Sequence, residues 1–230
     1  MLIITGTGRS GTGTMARLLG GHHEFRVHYL LDKYFLKADP HGTPFDTIEK
    51  RVRAILDLHQ GIDPAVFIDS SNLYIHFIDA VHALNPSAKF ILCVRNGKDF
   101  VRSAASRNWH LQNLYGTVPP RSDPYFEKWE RMDPLERNAW IWVYRNRKAL
   151  DGLDMVPELQ RLIMRIEDIH QNIGLIRDFS GVAIQETSGP LKRHNANPSS
   201  DFPPGAQWTR DMQRRFDTVA GEMMRFFNYE

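Results

Sequence analysis

The sequence predicts a three-layer α/β domain: a central parallel sheet of about five strands with helices on both faces. Three observations predict it. Short apolar runs alternate with longer stretches of helical periodicity through most of the 230 residues. The runs are too short for buried helices and read as strands covered on both sides. The first of them opens directly into "GTGRSGTGT", Gly6 to Thr14, a loop crowded with glycine and hydroxyl residues.

The elements follow in order. "LIIT" (Leu2–Thr5) ends at glycine and reads as a central strand, and Met15, Leu18 and Leu19 then share one face of a helix. "FRVHYLL" (Phe25–Leu31) reads as a second strand. The stretch Phe45 to His59 is helical, with Ile48, Val52, Ile55, Leu56 and His59 on one side. "AVFID" (Ala65–Asp69) is a strand. "LYIHFIDAVHAL" places Ile75, Ile78, Val81 and His82 at helical spacing, and Pro86 ends that helix. "KFILCV" (Lys89–Val94) is the clearest buried strand, and "RNGKDFVRSAASR" begins the next helix. "LYGTVPPRSDPYF", with Gly116, Pro119, Pro120 and Pro124, is a loop. A tryptophan-rich helix runs from Leu135 to Leu150, "RLIMRI" (Arg161–Ile166) is the last core strand, and "HNANPSSDFPPG" is a long polar loop. A final helix covers about Thr209 to Phe227. No internal repeat is present, and residues 1–230 read as one domain.

Composition narrows the function classes. The chain is 42% hydrophobic and 24% charged, which is ordinary for a globular protein. The net charge of +2 comes from dispersed residues, which argues against nucleic acid as the main partner and leaves room for a local anion pocket. The single cysteine, Cys93, excludes a disulfide framework or a cysteine-based zinc site and reads as a small buried hydrophobe. No apolar run approaches the ~20 residues of a membrane span. No basic segment precedes an apolar signal core at the N-terminus, so a cytoplasmic location is expected.

A loop between a strand and a helix offers unpaired backbone N–H groups to an anion. Gly6, Gly8, Gly11 and Gly13 let this backbone turn tightly, and Ser10, Thr12 and Thr14 add hydroxyl donors. Two templates almost fit. A dinucleotide-binding module would use Gly6, Gly8 and Gly11, with Asp32 on a ribose. A nucleotide kinase or related phosphotransferase would need a lysine where Thr12 stands, and a magnesium-holding carboxylate. Neither explains Arg9, whose planar donor fork suits phosphate or sulfate oxygens. The second loop adds independent information. Arg95 follows the Lys89–Val94 strand, on the same sheet edge as the first loop. Ser103 is eight residues on, about two helical turns along. Both side chains can reach one anion, and Ser106 and Arg107 lie a turn further.

Together, Arg9-Ser10-Gly11-Thr12-Gly13 and Val94-Arg95-Asn96-Gly97-Lys98 with Ser103 resemble the paired signature of the sulfotransferases that use 3′-phosphoadenosine 5′-phosphosulfate (PAPS). "SGTGTMARLLGGHHEFR" and "NPSAKFILCVRNGKDFVRSAASR" are similar to the tyrosylprotein branch. "VFIDSSN" is similar to the carbohydrate-type branch, and "IMRIEDI" resembles a strand end seen across the family. The resemblance covers most of residues 1 to 180 and implies a P-loop-like fold.

The resemblance also implies transfer of a sulfuryl group from PAPS to a hydroxyl or amine without a metal. Gly8, Arg9, Ser10, Gly11, Thr12, Gly13 and Thr14 would hold the 5′-phosphosulfate, with Arg9 stabilising the leaving oxygen. Arg95 and Ser103 would hold the 3′-phosphate, and Lys192 and Arg193 would close over the nucleotide. The acceptor class stays open: a small molecule, carbohydrate, lipid or peptide. Departures from the family pattern are Gly13 for a second threonine, Ser70, Ser71 and Asn72 where many relatives carry a lysine, and Leu30 at the spacing of the glutamate base. His28 is taken as the candidate base, with Asp32 a weaker one. Trp129, Trp140 and Trp142 read as core residues before cleft residues, and Glu167 and Asp168 as a structural cap or ion pair.

Overall fold

The computed structural model describes residues 1–20, 53, 68–112, 116–184 and 202–229. Several sequence expectations lie outside these residues: the strand Phe25–Leu31, the helix Phe45–His59 apart from Arg53, His28, Leu30 and Asp32, the pair Lys192 and Arg193, and most of the loop His194–Gly205.

Four strands form one parallel sheet: β1 (Leu2–Gly6), β2 (Ile68–Ser70), β3 (Lys89–Val94) and β4 (Arg161–Arg165), in the order β2-β1-β3-β4. The expected count of about five becomes four among the described residues, because the remaining predicted strand falls outside them. β3 has the predicted bounds. In register, Ile4 lies between Ser70 and Ile91, and Gly6 lies opposite Cys93.

The apolar runs alternate between two cores, as the period of two in a strand requires. Ile3, Phe90, Leu92 and Val94 face one core, and Leu2, Ile4, Ile91 and Cys93 face the other. The first core is covered by α2 (Ile78–Leu84), α3 (Gly97–Ala105), α4 (Pro134–Leu153) and α6 (Arg210–Phe226). The second is covered by α1 (Thr12–Leu18) and α5 (Ile173–Ser180). These are the three layers the sequence predicts. Cys93 has no exposed surface, and burial pushes its thiol up to about 12.

α4 shows how local sequence sets an element. Asp133 accepts from the Glu136 N–H while Glu136 accepts from the Asp133 N–H, and Pro134 occupies the first helical position. The buried stripe then runs through Leu135, Ala139, Trp142, Arg145, Asn146, Ala149 and Leu153. Trp129 and Trp140 pack edge to face at 5.3 Å, and Trp142 is fully buried, so all three tryptophans are core residues.

Two local readings need correction. The helix expected over Leu73–Leu84 splits into a 3-10 turn, Asn72–His76, and α2. Ser71 Oγ accepts from the Leu73 N–H, and the Tyr74 hydroxyl donates to Asp69 at the end of β2. The first turn is thereby tied to the sheet, and the backbone leaves helical geometry at Phe77, with φ −142° and ψ 13°. α5 had no counterpart in the sequence reading. It is eight residues long and ends at Gly181, with φ 70°. Among the described residues, no helix is long and apolar enough to cross a membrane.

Candidate functional site

The chain leaves β1 toward β2 on one side, whereas β3 is followed by β4 on the other. The carboxyl ends of β1 and β3 therefore border a crevice at a topological switch point, where ligands of such sheets bind. Both glycine- and arginine-bearing loops start there.

The first loop is shaped by close approaches. A Cβ on Gly6 would stand 2.4 Å from the Cys93 carbonyl oxygen and 2.2 Å from Ser10 Oγ. Gly8 and Gly11 have φ of 80° and 84°, a left-handed geometry that glycine adopts without cost. Arg9 shares it, with φ 56°, and as a non-glycine residue holds backbone strain there. Ser10 is fully buried and its Oγ has no hydrogen-bond partner. An orphaned donor of this kind is costly unless something fills its demand. Thr12 is buried, and Gly13 and Thr14 are partly exposed in the first turn of α1. α1 is only seven residues long, so the loop donors and nearby cations, more than a helix dipole, set the local potential.

The second loop meets the first. Arg9 Nε donates to Ser103 Oγ at 3.1 Å, and Arg95 Nη1 donates to the Arg9 carbonyl at 3.1 Å. Burial first, and then the guanidinium groups of Arg107 and Arg95, pull Arg9 below its usual value. Like charges are thus gathered around a half-buried arginine, an arrangement that an anion would relieve. Arg95 also faces Asp99 at 3.8 Å across one helical turn.

The segment after β2 borders the same loop. Thr5 Oγ1 donates to the Ser71 carbonyl at 2.8 Å, and Asn72 Nδ2 lies 3.2 Å from where a Gly8 Cβ would stand. An amide, not an ammonium group, therefore occupies that place. Trp109 covers Gly8 from another side, 2.6 Å from the same Cβ position.

α4 supplies contacts that the sequence reading missed. Arg145 is buried, donates from Nη1 to the Thr7 carbonyl at 3.0 Å and from Nε to the Gly116 carbonyl at 3.1 Å, and lies 4.8 Å from the Trp109 ring centre. Burial lowers it to about 10, so it stays charged at neutral pH. Three residues earlier, Trp142 Nε1 donates to the Arg95 carbonyl at 3.1 Å. One helix thus holds a carbonyl next to each loop. The available signal was a lone arginine on the apolar stripe of a helix. Glu167 accepts from the Asn96 N–H at 3.1 Å, and Asp168 pairs with Arg165 at 2.8 Å, a cap and an ion pair.

His76 packs beneath Gly116, and its ring nitrogens are buried although part of the residue reaches solvent. Burial first, then Arg145 and Lys148, hold it well below 6.5. The unfolded chain takes up a proton below about pH 6.5 whereas the folded chain does not. Stability is therefore fully present above that pH and is lost as pH falls toward the depressed folded value. The melting temperature should drop between pH 7 and pH 5, and His76→Gln should flatten that part of the profile. A slope unchanged in the variant would show that other groups cause it.

No protein-family model and no curated protein matches this sequence. Solved structures do. The sulfotransferase domain from the curacin biosynthetic pathway superposes with a TM-score of 0.61 at 15% identity, covering 100% of this chain and 98% of its own. The chain has the sulfotransferase fold. The sulfotransferase domain of the Synechococcus PCC 7002 olefin synthase gives 0.56 at 18% identity, over 100% of this chain and 94% of that one. A sulfotransferase from Alicyclobacillus acidocaldarius gives 0.53 at 18%, over 100% and 96%. Within this sulfotransferase fold, the loops after β1 and β3 are the ones that bear Arg9 and Arg95. Among the described residues, no three His, Cys, Asp or Glu side chains converge as metal ligands would.

Proposed function

We propose that this chain is a sulfotransferase that moves a sulfuryl group from PAPS to a hydroxyl or amine of an acceptor, leaving adenosine 3′,5′-bisphosphate. The observation that carries the reading is the meeting of Arg9, Arg95 and Ser103 across two distant loops. The orphaned Ser10 hydroxyl and the glycine turns around it fit the demands of a bound phosphosulfate. The likeness in fold supports the same reading.

In the reaction, a bond forms between the acceptor atom and sulfur while the bond from sulfur to the bridging oxygen breaks. The electron pair stays on that oxygen, and the acceptor loses its proton. Arg9 has the role of holding the developing negative charge, with loop N–H groups and the hydroxyls of Ser10 and Thr12. Gly8, Gly11 and Gly13 let the backbone come close, and Thr14 is proposed to replace the hydroxyl lost at Gly13. Arg95 and Ser103 grip the 3′-phosphate, which distinguishes PAPS from other adenine nucleotides. Lys192 and Arg193 are proposed to close over the nucleotide, and His28 to take the acceptor proton. The reading needs no metal. The location is proposed to be cytoplasmic and the acceptor a small molecule, carbohydrate, lipid or peptide.

Thermal shift tests the donor. Adenosine 3′,5′-bisphosphate should raise the melting temperature, whereas ATP with Mg²⁺ and NAD should not, and Arg95→Ala should remove most of the shift. A larger shift with NAD would favour the dinucleotide reading. Labelled PAPS offered to an acceptor panel then tests transfer. Binding of the bisphosphate without transfer to any acceptor would reassign the chain to a nucleotide-binding protein.

A further inference from the structure

The peptide unit between Arg95 and Asn96 is held at both ends. Its carbonyl oxygen accepts from Trp142 Nε1 at 3.1 Å, and its N–H donates to Glu167 Oε1 at 3.1 Å. The other oxygen of Glu167 accepts from the Tyr229 hydroxyl at 2.7 Å. Tyr229 is itself buried and lies beneath the Arg165 guanidinium, 4.8 Å from its ring centre, while Arg165 Nη1 donates to the Asn228 carbonyl at 2.6 Å. Burial and the Glu167 carboxylate raise the Tyr229 phenol, so it remains a donor. Asn96 also caps α3 through its side chain, which accepts from the Lys98 N–H at 2.9 Å.

A trans peptide is a rigid plane, so fixing both its carbonyl and its N–H fixes the plane. The plane in turn sets where the Arg95 side chain leaves the backbone and how α3, carrying Ser103, begins. None of the three groups lies in the sheet: Trp142 belongs to α4, Glu167 follows β4, and Tyr229 follows α6. Two of them hold the peptide directly, and the third braces Glu167.

We propose that Trp142, with Glu167 braced by Tyr229, clamps the Arg95–Asn96 peptide so that Arg95 and Ser103 recognise a 3′-phosphate. These are positioning residues, and the inference rests on the proposed nucleotide reading. The clamp acts on selectivity for the 3′-phosphate through the two side chains that the peptide and α3 carry. Fixed geometry is what gives a charged donor pair its discrimination.

The test compares Kd for adenosine 3′,5′-bisphosphate and adenosine 5′-monophosphate by titration calorimetry. Trp142→Phe keeps a large ring but removes the donor. It should cut the preference for the bisphosphate about three- to tenfold, the worth of one buried hydrogen bond. Tyr229→Phe and Glu167→Ala should cut it about two- to fivefold. Glu167→Gln, which still offers an oxygen to Asn96, should restore most of it. Leu153→Ala, buried at the far end of α4, lowers stability without touching the clamp and should leave the preference intact. Amide exchange at Asn96 gives a ligand-free readout and should quicken in Glu167→Ala and Tyr229→Phe. An unchanged preference in Trp142→Phe and Glu167→Ala, or an equal loss in Leu153→Ala, overturns the proposal. A wild type without preference overturns the nucleotide reading, whereas unchanged Asn96 exchange overturns the clamp alone.

Discussion

Arg9→Ala is expected to lower sulfuryl transfer about 10²–10³-fold, the usual effect of removing one preorganised donor from a developing oxyanion. Arg9 is the loop cation that neither nucleotide template explains, and it is half-buried with two further guanidinium groups lowering its affinity for a proton. Adenosine 3′,5′-bisphosphate should still bind, because Arg95 remains and Ser103 is released from its contact with Arg9. Steady-state rates with labelled PAPS, set against calorimetric Kd, separate the two quantities. Equal losses in both would place Arg9 in binding only. The variant should not be less stable than the parent. Arg9 sits at φ 56°, so Arg9→Gly is expected to raise the melting temperature while lowering transfer as far as Arg9→Ala does.

Gly6→Ala should be the most damaging small substitution in the first loop. The added methyl meets a backbone carbonyl at 2.4 Å in the middle of the sheet, where β1 and β3 pair. That carbonyl cannot turn aside as a side chain can. Overpacking costs about 1–3 kcal/mol or more, and for a chain of this size each kcal/mol moves the melting temperature by about 2–4 °C. A fall of about 2–12 °C is therefore expected, with nucleotide binding lost as Ser10 is pushed aside. Gly174→Ala gives the contrast. Nothing stands within 4 Å of its Cβ position, and the site lies in α5, where alanine is the better helix former. That variant should be neutral or slightly stabilised. Similar losses for both would mean that the packing at Gly6 is more forgiving than the geometry implies.

β1 and β3 were legible because burial on both faces leaves a compact signature. "KFILCV" has no polar residue after its first, and its predicted bounds are those of β3. α4 and α6 were legible from their long periodic stripes. That Arg95 and Ser103 can share one anion was legible from spacing, since eight residues is about two turns of a helix that starts at the end of a central strand, whereas the pairing with the first loop rested on the shared sheet edge and the family resemblance. What local patterns do not encode is contact across distance. The Arg145 to Thr7 bond spans 138 residues of chain, and the Trp142 to Arg95 bond spans 47. Periodicity marks both side chains as core and says nothing of the carbonyl each one meets. Tyr229 gives even less warning, because a tyrosine just past a helix has many ordinary uses. The split before α2 was hidden for a related reason: the apolar spacing runs on unbroken while a tether from Tyr74 to Asp69 redirects the chain.

The grip of α4 on both loops has a mechanical consequence. Trp142 and Arg145 are three positions apart on one helix, about 4.5 Å along its axis. Their two grips therefore travel together when the molecule breathes. Jostling elsewhere shifts both halves of the crevice as one body and leaves the gap between them nearly constant. Such a frame tolerates drift in its surroundings, so the spacing of the two loops outlasts change elsewhere in the molecule.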